Sequence, residues 1–153
     1  MYKTLKDKDT ALSLKLFVVL SRALEAIERK TAESIKDYDL NLTEFAVLEL
    51  LFNKGDQPIQ KIGQKILIAS SSITYVVDKL EKKKYVMRVA CPTDRRVTYA
   101  AITDEGRGLM GEIFPKHLEL MTGIMSTLGI EEKEMVIEQI KKLGLFANDY
   151  KPV

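Results

Sequence analysis

PIQKIGQKILIASSSITYVVDKLEKKKYVMRVACPTDRRVTYAAIT, residues 58–103, changes its hydrophobic period partway along, and the architecture follows from that change. Pro58 opens a short helix, IQKIGQKIL, because its missing N–H falls where a first turn has no partner for one. A break at residues 68–70 leads into SSITYVVDKLEKKK. There Ile73, Val76, Val77 and Leu80 recur at helical spacing as an inward stripe, while Ser71, Thr74, Tyr75, Asp78, Lys79 and Lys82 face elsewhere. Two short helices joined by a tight turn, the second starting with small hydroxyl residues, make a helix-turn-helix. From Tyr85 the pattern shortens. YVMRVA and VTYAAIT, rich in Val, Tyr and Thr, flank CPTDRR and predict a β-hairpin. A hairpin directly after the second helix is a wing.

Upstream, Thr43 is a suitable N-cap for EFAVLELLFNK, and Gly55 supplies its stop. From Ala11 to about Lys36, apolar residues such as Leu12, Leu16, Leu20, Leu24 and Ile27 fall mostly three or four apart, without Gly or Pro. Leu14, Phe17, Val18 and Val19 add a second apolar side, as in a helix that packs between two partners, one of them another subunit. Downstream, Thr103 caps a helix with Asp104 and Glu105 in its first turn, favourable for the dipole. Gly106, Gly108 and Gly111 weaken that helix's start, and Pro115 is expected to kink it. Glu131 to about Ala147 forms a last helix with Met135, Val136, Ile140 and Leu143 inward. The expected fold is mainly α with a small β-wing. A single domain, 1–153, holds a winged helix-turn-helix at 41–103, and the helices at 11–37 and 104–148 form a dimerisation platform.

At 153 residues, with 46% hydrophobic and 30% charged, one domain can bury enough surface to need no covalent or metal staple. One Cys and one His exclude an internal disulfide and a four-ligand zinc site, so no metal or cofactor is expected. Cys91 and His117 lie in different elements and give no nucleophile–base pair, which argues against an enzyme. No apolar run approaches the ~20 residues of a membrane span, and MYKTLKDKDTALS lacks a signal-peptide core, so a cytoplasmic protein without membrane partners is expected. The net charge is +2, yet residues 79–96 hold seven basic residues against two acidic ones, +5, leaving −3 elsewhere. A basic patch on a slightly acidic body is either a solvated face or the footprint of a nucleic-acid binder.

LTEFAVL, VDKLEKK at the end of the second helix of the motif, and a wing with DRR followed after six residues by TDEG carry a resemblance to the MarR family of bacterial transcriptional regulators. It covers about Asn41 to Gly106, and the flanking helices agree in order and length. SLKLFVVLSRA and CPTDRRVTYA further resemble the quinone- and phenol-responsive, MhqR-like branch. The resemblance implies a homodimer on a pseudo-palindromic DNA operator, usually a repressor released by a small molecule or by thiol oxidation. The family commonly has Gly where this chain has Lys84. Lys84 must then bear left-handed strain of ~1 kcal/mol or end the helix differently.

Ser70, Ser71, Ser72, Thr74 and Tyr75 lie at the start of the recognition helix, the end expected in the major groove, where hydroxyls can meet phosphates and base edges. Asp94 and Arg96 project from one side if the stretch between them is extended. The resemblance implies that Asp94 orients Arg96 into the minor groove, whose negative potential attracts arginine. Arg95, Lys79, Lys82, Lys83 and Arg88 are candidate phosphate contacts. Cys91 is a candidate redox residue, its thiolate favoured by Arg88, Arg95 and Arg96; the alternative is an inert small side chain beside Pro92. By analogy with the family, an effector pocket for a small aromatic or quinone-like molecule involves Phe17, Leu20, Ser21, Phe45, Phe114, His117 and Met121, although Phe and Met at helical spacing are more often core. The rival to DNA binding is a winged-helix protein-interaction module. It would use neither the Asp94–Arg96 wing nor the polar face of Ser71, Thr74 and Lys79.

Overall fold

The computed structural model describes residues 7–66 and 73–153. Helix α1 runs Lys8–Ile35, starting earlier than expected because Asp7 caps it. The Asp7 carboxylate accepts from the backbone N–H of Asp9 and Thr10 at 3.1 and 3.2 Å. A short 3₁₀ turn, Lys36–Tyr38, and a left-handed Asp39 (φ 56°) end it. Helix α2 spans Leu42–Lys54. Its N-cap is Asn41 and not Thr43: Asn41 Oδ1 accepts from Glu44 N–H at 2.8 Å, and Glu44 Oε1 accepts from Asn41 N–H at 3.3 Å. This reciprocal box satisfies two orphan donors where Thr43 alone would satisfy one. Gly55 ends α2 as expected, with φ 82° and its N–H on the Leu51 carbonyl.

Pro58 does not open a helix. It belongs to a two-residue strand, β1 (Gln57–Pro58), and α3 begins after it at Ile59–Ile66. β1 lies at the edge of an antiparallel sheet ordered β1-β3-β2, with Pro58 opposite Tyr99; an edge strand tolerates a residue with no N–H. The recognition helix α4 is Ile73–Lys82. The wing strands are β2 (Val86–Ala90) and β3 (Thr98–Ile102), in register from Val86↔Ile102 to Ala90↔Thr98.

Lys84 closes α4 in the left-handed region, φ 67°. Tyr85 N–H reaches the Leu80 carbonyl and Lys84 N–H the Glu81 carbonyl, both at 3.0 Å, the two bonds of a Schellman closure. The strained alternative is the one adopted. Thr103 then caps α5 (Asp104–Met125), accepting from Gly106 N–H at 3.0 Å while donating to the Lys84 carbonyl at 2.6 Å. Gly106 is more than a weak helix former, since a Cβ there would collide with the Tyr85 carbonyl and come within 2.7 Å of Ile102 Cγ1. Helix α5 continues past Pro115 without interruption, and α6 covers Ile130–Asp149.

The chain divides into two compact units, Met1–His117 and Leu118–Val153. The first holds the core: Leu48 and Leu51 of α2, Ile62 of α3, Val77 and Leu80 of α4, Val86 of β2, and Met110 and Ile113 of α5. Each such buried side chain contributes roughly 1.5–3 kcal/mol. In the second unit no residue of α6 is buried. Met135, Val136, Ile140 and Leu143, expected inward, are exposed, because nothing among the described residues covers them. Most of α1 behaves likewise, with only Thr31 and Ile35 buried and Phe17 70% exposed.

Candidate nucleic-acid interface

Helix α4 separates its faces as its period requires. Ile73, Val76, Val77 and Leu80 are buried, which leaves Thr74, Tyr75, Asp78 and Lys82 exposed and Lys79 half-buried. The Lys79 ammonium lies 5.4 Å from the centre of the Tyr75 ring, so the two side chains stand together on the outer face. Ser70, Ser71 and Ser72 lie outside the described residues.

The wing tip is a turn, as a hairpin across CPTDRR requires, so the condition of an extended stretch between Asp94 and Arg96 is not met. Val97 N–H bonds the Asp94 carbonyl at 3.1 Å, and Asp94 Oδ1 accepts from the Arg96 backbone N–H at 3.0 Å. The Asp94 carboxylate also accepts from Arg96 Nε at 3.2 Å and Nη2 at 3.4 Å. An Asp bonding the backbone two residues on is a standard way of stabilising a tight turn, and here the turn itself brings Asp94 and Arg96 together. The Arg96 backbone and side-chain donors hold the Asp94 carboxyl below its usual range. Arg96 keeps 91% of its side chain exposed, and Arg95 beside it is exposed.

Other basic residues are already engaged. Arg88, expected at phosphate, is half-buried and donates from Nη2 to Asp78 at 2.6 Å and from Nη1 to Glu81 at 2.8 Å. The Asp78 bond, working against burial, strengthens its hold on its proton. Lys83 donates to the Asp39 carbonyl at 2.5 Å and to Glu44 at 2.7 Å, and the Glu44 side chain is only 3% exposed. Burial opposes the Lys83 charge, but Glu44 and Asp39 outweigh it and raise its pKa. The Glu44–Lys83 pair was not foreseen, although Asn-x-x-Glu at 41–44 is itself a readable capping signature.

Cys91 is half-buried, its thiol pKa lowered first by the Thr93 hydroxyl 3.3 Å away and then by the N–H groups of Thr93 and Asp94. The cause is local hydrogen bonding and not the nearby arginines. Of the residues expected around an effector, Phe45 and His117 meet edge-on at 4.8 Å and line a cavity of about 540 Å³. Leu24, Glu28 and Thr31 supply its α1 wall, about two to three turns beyond Phe17, Leu20 and Ser21, which are not in the lining. Phe114 instead packs on the core beside Phe52, ring centres 5.8 Å apart. Met121 belongs to the second unit. His117 Nδ1 is buried without a partner among the described residues, and burial lowers its pKa against the opposing pull of Glu49. Among the described residues no cluster has metal-ligand geometry, and no helix is long and apolar enough to cross a membrane.

The comparisons with known proteins agree with this geometry. A family model described as the MarR family matches residues 40–98. The chain is 55% identical to the HTH-type transcriptional regulator MhqR of Bacillus subtilis, over 92% of this chain and 97% of that protein. Its fold resembles AbsC, a MarR family regulator from Streptomyces coelicolor, with TM-score 0.81 at 14% identity over 94% of this chain and 97% of that one. It also resembles Sco3205 of Streptomyces coelicolor, solved in complex with DNA, with TM-score 0.78 at 18% identity over 96% of this chain and 92% of that one.

Proposed function

The chain belongs to the MarR family of DNA-binding transcriptional regulators, and from that premise we propose that it acts as a homodimeric repressor on a pseudo-palindromic operator. The recognition helix α4 enters the major groove with Thr74, Tyr75, Lys79 and Lys82, and the wing carries Arg96 into the minor groove. The observation that carries this reading is the wing tip, where an arginine 91% exposed is held at its base by the Asp94 carboxylate. A guanidinium pre-oriented in this way loses little freedom on entering a narrow groove. Two such modules in one dimer would read half-sites about one helical turn apart, ~10 bp.

Release follows from a shift between dimer forms. The operator needs a fixed separation of two recognition helices, and an effector that prefers another separation weakens binding by its differential affinity. The cavity beside Phe45 and His117 supports a small aromatic effector of the phenol or quinone class. Leu24, Leu42, Phe45 and Ile66 give it apolar and aromatic walls, and Glu28, Thr31, Thr43, Glu49 and His117 supply polar groups around them. A second route runs through Cys91, whose lowered thiol pKa favours attack on an electrophile. Cys91→Ser separates the two: it leaves release by a cavity ligand intact and abolishes release by thiol chemistry.

The deciding experiment is selection of genomic DNA fragments by purified protein at physiological salt, with Arg96→Ala in parallel. The expected result is an enriched palindrome that Arg96→Ala binds about ten-fold or more weakly, the scale of one lost groove contact. Absence of any enriched sequence would favour the protein-interaction module. Unchanged affinity in Arg96→Ala would remove the wing from the binding account.

A further inference from the structure

We propose that Arg88 is a positioning residue for DNA binding, a clasp that fixes the wing to the recognition helix, and that it makes no phosphate contact of its own. The proposal rests on the reading of Arg96 as a groove contact. Arg88 sits mid-strand in β2, opposite Ala100, and its guanidinium lies against α4. Its two terminal nitrogens are taken separately, Nη2 by Asp78 at 2.6 Å and Nη1 by Glu81 at 2.8 Å. Those acids are three apart on α4, hence on one face of the helix, so the planar fork grips successive turns.

To reach a phosphate, Arg88 would have to give up two charge-assisted bonds and leave two bare carboxylates beside a polyanion. With Arg88 in place the trio carries a net charge of only −1, and the recognition helix can approach DNA. Bonds at Lys84, Tyr85 and Thr103 join the base of the hairpin to the end of α4, and β3 is tied further along, at Tyr99 and Ala100, to β1 and not to α4. The Arg88 clasp ties the middle of β2 directly to α4, and so sets the wing's angle against the recognition helix itself. That angle decides whether Arg96 reaches the minor groove while α4 lies in the major groove.

The test uses the full chain and a short mixed-sequence duplex, with affinity measured across a salt series for wild type, Arg88→Gln and Lys82→Gln. A phosphate contact contributes about 0.9 to the slope of log K against log salt. Arg88→Gln is expected to keep the wild-type slope, while Lys82→Gln, which loses an exposed ammonium, lowers it. A slope lowered by Arg88→Gln would overturn the proposal. The second arm is a double-mutant cycle with Arg96→Ala on the most enriched genomic fragment, or on the mixed duplex if selection enriches none. The cost of Arg96→Ala, about ten-fold or more in the parent, is expected to shrink to about three-fold or less once Arg88 is Gln, because the wing is no longer aimed. An undiminished cost means Arg88 does not act through the wing, a result that general destabilisation would also give and that refutes the clasp. The slope arm needs no operator, so failure of the repressor reading and failure of this inference are separable.

Discussion

Lys84 and His117 each carry a local cost visible at a single atom or angle. Lys84 holds φ 67° to close α4, a region that a Cβ penalises by roughly 1–2 kcal/mol. Lys84→Gly relieves that penalty but frees the unfolded chain, so the net gain in urea-unfolding stability is expected to be up to about 1 kcal/mol. Lower stability in the variant would show that the lysine side chain outweighs its backbone strain. His117 is held neutral by burial, its pKa below the ordinary 6.5. As pH falls below that value the unfolded chain takes up a proton that the native state resists, so stability declines toward acid. His117→Gln is expected to flatten this decline between neutrality and about pH 5, read as urea midpoints along a pH series. An unchanged pH dependence would assign the decline to other groups.

At the scale of elements, the junction of α4, the wing and α5 is one hydrogen-bonded knot. Thr103 bonds the Lys84 carbonyl and Gly106 N–H, and its own N–H bonds the Tyr85 carbonyl. Gly106 lets the first turn of α5 close on that carbonyl, whereas Gly108 faces open space two residues later. The pair makes a contrast in which helix propensity is nearly constant and packing is not. Gly106→Ala is expected to destabilise by at least about 1–3 kcal/mol through backbone displacement, and Gly108→Ala to stabilise by roughly 0.5–1 kcal/mol. Thermal unfolding of both variants checks the sign of each; a stabilised Gly106→Ala would mean that the knot gives way without cost.

For the whole molecule, the exposed apolar surface is the dominant feature. Phe17 and Leu24 of α1 and Ile137, Leu145 and Phe146 of α6 are each more than half exposed. A monomer rarely leaves so much apolar surface to water, and a second copy of the chain is the occupant the proposed dimer supplies. Ile137→Glu is expected to shift sedimentation from dimer to monomer and to weaken operator binding with it, since one module cannot bridge two half-sites. A variant that stays dimeric with full affinity would take α6 out of the interface.

Short-range chemistry made most of the elements legible: the inward stripe of α4, the Val- and Thr-rich wing strands, Gly55 as a stop and Thr103 as a cap all depend on residues a few positions apart. The strained closure at Lys84 was legible as one of two options for the same reason. Long-range choices were not. Arg88 lies within ten residues of both Asp78 and Glu81, but only the packing of β2 on α4 selects them over phosphate. Lys83 is paired with Glu44, 39 positions away, and β1 exists only because β3 arrives beside Gln57 and Pro58. The cavity wall likewise lies further along the same side of α1, at Leu24, Glu28 and Thr31, because only the folded chain decides which turns of α1 face Phe45 and His117. Period and turn chemistry are properties of neighbouring residues, whereas the partner of a charge or the facing of a groove is a property of distances that only the folded chain defines.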